Sequence, residues 1–130
     1  MNFANIGPPY LELNFTMKNK QEGSYFEAVC TPSGGNPNAL SSSYSYLLCF
    51  KPILSVNFSS KIFHLAGCPD ECCPLLSSRK VTKQLEYVHR GDYWCRVEHD
   101  SKDLKLARNS TVRQLDVECK SFTKLYCNVI

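Results

Sequence analysis

Residues 91–98, Gly91-Asp92-Tyr93-Trp94-Cys95-Arg96-Val97-Glu98, decide the fold class. Successive side chains of an extended chain point to opposite faces, so Tyr93, Cys95 and Val97 form one set and Trp94, Arg96 and Glu98 the other. The same period of two recurs upstream. In Tyr10 to Met17 the residues Leu11, Leu13, Phe15 and Met17 share a face, which turns Asn14 outward. In Ser24 to Cys30 the inward set is Phe26, Ala28 and Cys30, and the stretch from Pro32 to Pro37, with two glycines, reads as a loop. Tyr44 to Phe50 is aromatic and half polar, and Pro52 halts it because proline cannot donate to a sheet ladder. Lys61 to Leu65 and Val81 to Leu85 are weaker strand candidates flanking an insert from Gly67 to Pro74, and a last run spans Leu104 to Val117. No long stretch has helical period. Many short strands separated by turn signals predict an all-β sandwich or barrel.

The chain has 130 residues, enough for one modest core, and its 43% hydrophobic and 21% charged residues exclude a disordered or low-complexity protein. The net charge is +3 and the basic residues are scattered, so nothing forms the basic stripe that a nucleic-acid backbone requires. No run approaches the roughly 18 apolar residues of a membrane span, and Met1 to Asn5 lacks the features of a signal peptide. Eight cysteines and three N-x-S/T sequons, at Asn14, Asn57 and Asn109, nevertheless point to an oxidising compartment. An excised fragment of an extracellular protein, cell-surface or secreted, reconciles the two, with any membrane attachment through a missing anchor segment.

Gly91-x-Tyr93-x-Cys95, with Cys30 in an inward-facing strand 65 residues upstream, resembles the F-strand signature of the immunoglobulin superfamily. The resemblance covers residues 9 to 118 and is closest to a divergent variable-type or intermediate-type domain. It implies an immunoglobulin-like β-sandwich with extra disulfides, Cys30–Cys95 as the pin between sheets, and Tyr93 as the corner tyrosine whose hydroxyl turns back onto the E–F corner. The implied strands are A (10–17), B (24–30), C (44–50), E (around 81–87), F (92–98) and G (104–117). Residues 1–118 then form the domain, and residues 119–130 a disulfide-stapled tail or the start of a linker. Two positions depart from the family's pattern. The single tryptophan is Trp94 rather than a strand C residue, which leaves Tyr46 or Leu48 against the pin. His89 stands where an acidic residue is customary, with Asp92 nearby to compensate.

Cys49, Cys68, Cys72, Cys73, Cys119 and Cys127 remain, and six cysteines allow fifteen pairings. Cys49, at the end of strand C, resembles the C-to-C′ disulfide of several leukocyte receptor domains, which implies a partner among Cys68, Cys72 and Cys73. Adjacent cysteines bond to each other rarely, so Cys72 and Cys73 are expected to face opposite ways and staple different neighbours. A zinc site at this cluster with His64 is the competing reading. It is disfavoured because structural zinc sites occur mostly where thiols stay reduced, and His64 is placed on a strand face. Arg90-Gly91-Asp92 spells an integrin tripeptide, but its glycine belongs to the packed corner.

No phosphate loop, nucleophile elbow or metalloprotease motif occurs, and His64, His89 and His99 have no carboxylate or nucleophile at motif spacing. The expectation is no enzyme, no cofactor and no metal. If the corner and the pin hold Tyr93 and Cys95 inward, then Trp94, Arg96 and Glu98 face outward on the G-F-C sheet. Tryptophan and arginine there have the composition of a protein–protein hot spot. The resemblance implies an extracellular module that binds a protein partner, homophilic or heterophilic, in cell–cell recognition, adhesion or immune-type reception. Alternatives are a secreted or viral decoy for a soluble ligand, and a sialic-acid-binding immunoglobulin-like lectin. Tyr93-Trp94-Cys95-Arg96-Val97-Glu98 is similar to the latter's aromatic-aromatic-Arg-x-Glu pattern, although those lectins lack a cysteine at this position.

Overall fold

The computed structural model describes residues 7–53, 64–99 and 106–119. These contain eight strands, β1 (Tyr10–Met17), β2 (Tyr25–Ser33), β3 (Tyr44–Pro52), β4 (Cys72–Pro74), β5 (Lys80–Gln84), β6 (Gly91–His99), β7 (Ala107–Asn109) and β8 (Arg113–Leu115). One antiparallel sheet has the order β1-β2-β5. The other has the order β4-β3-β6, with β7 and β8 both pairing with the far side of β6.

Period-two alternation produces the core directly. Leu13 of β1, Phe26, Ala28 and Cys30 of β2, Leu48 and Phe50 of β3, and Tyr93 and Cys95 of β6 are buried in one cluster drawn from both sheets. Phe15 and Met17 pack against it from β1. Cys30–Cys95 joins the sheets through this cluster. Leu48, opposite Cys95 in register, fills the core beside it, while Tyr46 is half-buried and donates its hydroxyl to the Ala39 carbonyl at 2.8 Å. Phe50 stacks on Tyr93 with ring centroids 4.4 Å apart.

The corner before β6 is built around Tyr93, whose hydroxyl donates to the His89 carbonyl at 2.7 Å. His89 ends a short 3-10 turn, Tyr87–His89, and its buried Nδ1 accepts the Glu86 N–H at 2.9 Å. Glu86, not Asp92, supplies the carboxylate near His89, with Oε2 at 3.7 Å from Nε2. Gly91 has φ of 153°, and a Cβ there would strike the Lys51 carbonyl oxygen and come within 2.6 Å of the Phe50 ring. Only glycine lets β6 enter the sheet at this height. Arg90 lies over the Tyr87 ring at 3.6 Å, so the Arg-Gly-Asp tripeptide belongs to the corner.

Four elements differ from the sequence reading. β2 continues through Pro32 and Ser33, because Pro32 pairs only with β1 at a level that β5 does not reach. The insert contains β4, whose Cys72 lies directly opposite Cys49 and bonds to it. Cys73 turns to the other face and bonds to Cys68, so the two neighbours do staple different partners. Of the run expected from 104 to 117, residues 104 and 105 lie outside the described set and the rest holds two short strands, since at Ser110 the Cys95 N–H donates to the side-chain Oγ at 2.8 Å while the Ser110 N–H donates to the Cys95 carbonyl. His64 and Leu65 lie in a turn rather than a strand, and residues 61–63 fall outside the described set. His64 Nδ1 accepts the Ala66 N–H at 3.0 Å, which leaves Nε2 to donate to the carbonyls of Leu48 at 2.9 Å and Glu71 at 3.1 Å. A buried imidazole thereby pins the insert to β3.

Cys119 is disulfide-bonded, and Cys127 lies outside the described residues. Glu118 forms a parallel bridge with Gln21, which holds the end of the described chain against the β1–β2 turn.

Candidate functional site

β6 is flanked by β3 on one side and by β7 and β8 on the other, so its outward residues occupy the middle of the larger sheet. Gly91, Tyr93, Cys95 and Val97 are buried, and Asp92, Trp94, Arg96, Glu98 and His99 are partly exposed. Trp94, Arg96 and Glu98 therefore share the outer face, where parity placed them.

Register supplies their neighbours. Arg96 lies between Leu47 of β3 and Asn109 of β7, Trp94 lies opposite Cys49, and Glu98 lies between Ser45 and Ala107. The Cys49–Cys72 bridge consequently sits on the same face as Trp94, and it locks β4 to β3 beside the tryptophan. Arg96 is held at two points. Its Nε donates to Glu98 Oε1 at 2.9 Å, and its Nη1 donates to Asn109 Oδ1 at 3.1 Å. The Arg96 side chain is 33% exposed and that of Glu98 46%, so the ion pair orients the guanidinium more than it stabilises the fold.

This arrangement presents a partly exposed tryptophan beside an arginine held at two points. An arginine held this way loses less side-chain entropy on association with a ligand. A carboxylate clamp fits less well, because a bidentate grip through the Nε edge of the guanidinium would require Glu98 to leave.

In the sequence Asn109 stands out only as a sequon. The structure makes it a neighbour of Arg96, with an exposed side chain on the same outer face. Pairing between β6 and β7 would have identified this contact, but the broken last strand hid the register. Asn14 is exposed on the other sheet, between buried Leu13 and half-buried Phe15, as its parity requires. Asn57 lies outside the described residues. Protein made in a eukaryotic secretory line is expected to carry a glycan on Asn14, and a peptide map finding Asn14 unmodified would overturn that assignment.

His99, at the end of β6, has the inward parity of Tyr93, Cys95 and Val97, and its ring meets Tyr44 edge-on at 5.3 Å, so β6 brings no histidine to the outer face. His64 and His89 are buried and occupied by backbone groups. Among the described residues no three His, Cys, Asp or Glu side chains converge as a metal would need. Cys49, Cys68, Cys72 and Cys73 are all in disulfides. No family model, curated protein or solved structure matches this chain.

Proposed function

We propose that this chain is a divergent immunoglobulin-like module that works outside the cell by binding another protein through the outer face of its β4-β3-β6-β7/β8 sheet. The carrying observation is that Trp94 and Arg96 stand outward at the centre of that sheet, with Arg96 pre-oriented by Glu98 and Asn109. Recognition rather than catalysis is the activity proposed.

Three features support the fold-level part of the reading. The Cys30–Cys95 bridge crosses the core, the Tyr93 hydroxyl returns to the corner, and the strand orders correspond to A-B-E and C′-C-F-G. The disulfides and the lack, among the described residues, of a helix long and apolar enough to cross a membrane are compatible with an extracellular setting. A lectin role draws on the same arginine and is separated from protein binding by a glycan array.

Light scattering after size exclusion, together with aggregation of beads displaying the domain, distinguishes self-recognition from a heterologous partner. With either partner, Trp94→Ala and Arg96→Ala are each expected to weaken binding by ~2 kcal/mol, a factor of about thirty. Lys18→Ala and Lys20→Ala, on the exposed β1–β2 turn, should leave it unchanged. Wild-type binding by both face variants, with thermal melts confirming their folding, would refute the proposal. Loss of binding on altering the stapled segment 67–74 would then relocate recognition to that segment.

A further inference from the structure

A concave site separate from the recognition face lies where the chain crosses from β4 to β5, against the start of β3. It has a volume of about 340 Å³ and is lined principally by Leu40, Tyr44, Tyr46, Leu75, Leu76 and Arg79. Its walls are tied down. The Tyr44 hydroxyl donates to the Pro37 carbonyl at 2.6 Å, and the Tyr46 hydroxyl to that of Ala39 at 2.8 Å, fixing the loop on one side. On the other, the Leu75 N–H donates to the Tyr46 carbonyl and the Arg79 N–H to that of Leu76, both at 2.8 Å.

Arg79 is the unusual member. It stands just before β5 and lines the cavity with a half-buried side chain. Its carbonyl accepts the Cys30 N–H at 2.9 Å, and its φ of 53° is the only positive value at a non-glycine residue among those described. Backbone in this region is disfavoured for a side chain of this size and is retained where the surroundings enforce it. The guanidinium carbon lies 5.5 Å from the Tyr46 ring centroid, and the buried Nε has no acceptor. No aspartate or glutamate lines the cavity, and Arg79 makes no ion pair among the described residues. At the rim, Leu40 and Leu76 are 81% and 80% exposed, the highest values among the large apolar side chains described.

We propose that this cavity binds a small carboxylate with an apolar body, the carboxylate meeting the Arg79 guanidinium and the body covering Leu40 and Leu76. An arginine fork matches a carboxylate in charge and geometry. The volume is at the low end for ligand pockets, so the occupant is a short-chain or single-ring acid.

Octanoate is a suitable probe and octanamide its uncharged match, each titrated to about 10 mM into isotope-labelled protein while backbone amide shifts are followed. Octanoate is expected to bind with Kd of ~1 mM. The largest shifts should fall at Tyr46, Leu76 and Arg79, and octanamide should bind roughly tenfold or more weakly. Arg79→Gln should abolish the preference for the acid. Leu76→Asp, at an exposed rim position that folding does not depend on, should weaken octanoate binding through like charge. Trp94→Ala and Arg96→Ala should leave it intact, which separates this site from the recognition face. Equal binding of acid and amide, shifts centred elsewhere, or no shifts at the highest concentration would each overturn the proposal.

Discussion

Replacing both Cys30 and Cys95 by alanine is expected to lower stability by more than 4 kcal/mol, the largest loss for any of the three disulfides resolved in full. The bridge closes a 65-residue interval, for which loop entropy alone corresponds to ~4 kcal/mol. Both sulfurs are buried between Leu48 and the aromatic cluster, so truncation also leaves a void that the neighbours fill incompletely. Domains of this size are stable by ~5–15 kcal/mol, and the loss would remove much of that margin. The other bridges close 23 and 5 residues, and the same relation gives ~3 kcal/mol for Cys49–Cys72 and ~2 kcal/mol for Cys68–Cys73. Urea unfolding of the three paired alanine variants, without reductant, tests the ranking. A Cys30/Cys95 variant as stable as the Cys68/Cys73 variant would show that the core does not depend on its central bridge.

Acid is expected to destabilise the fold above the range in which carboxylates titrate. His89 is 2% exposed, and burial first, then the charges of Lys83 and His64, lower its pKa from 6.5 to about 4. The groups facing it are Lys83, His64 and Glu86, with the Tyr93 hydroxyl on its carbonyl. Unfolded chain binds a proton at this imidazole near pH 6.5, and folded chain not until about pH 4. The contribution of His89 is therefore fully present above about pH 7 and is lost as pH drops through that interval, by up to ~3 kcal/mol. His64 acts in the same direction, because burial lowers its pKa as well. Denaturant midpoints at pH 7.5 and pH 4.5 should differ accordingly. His89→Asn, whose amide oxygen can accept the Glu86 N–H, should reduce the difference. Equal midpoints for the wild-type chain would contradict the assigned burial of both rings.

The parts of the molecule legible in the sequence are those where one face of a long strand is buried. β1, β2 and β6 alternate over seven or more residues, and Leu13, Phe26 and Tyr93 reach the core that their parity indicates, whereas in β3 Leu48, Cys49 and Phe50 are buried in succession because the Cys49–Cys72 bridge covers the outer face there. Period carries no information over three residues, so β4 was hidden in a cysteine-rich segment held by covalent bonds and by His64. His64 itself reads as a strand residue because it sits among Phe63 and Leu65, yet its ring is buried by hydrogen bonds to three backbone groups. Ser110 interrupts the last strand for a similar reason, a side-chain bond to Cys95 that no local pattern announces. Trp94 and Arg96 were accessible to parity. Asn109 as Arg96's partner, and the cavity around Arg79, were not, since each is assembled from segments far apart in the chain.

The Cys30–Cys95 bridge also sets how the module behaves under tension. A pull entering before Cys30 and leaving after Cys95 runs through the sulfur atoms and bypasses a sequence separation of 65, half the length of the 130-residue chain. At ~3.5 Å per residue, that half would otherwise add roughly 230 Å of slack. β3, β4, β5 and most of the larger sheet's centre lie inside the bypassed interval, as do Trp94 and the Arg79 cavity. The load falls instead on the β1–β2 ladder and on the pairing of β6 with β7 and β8.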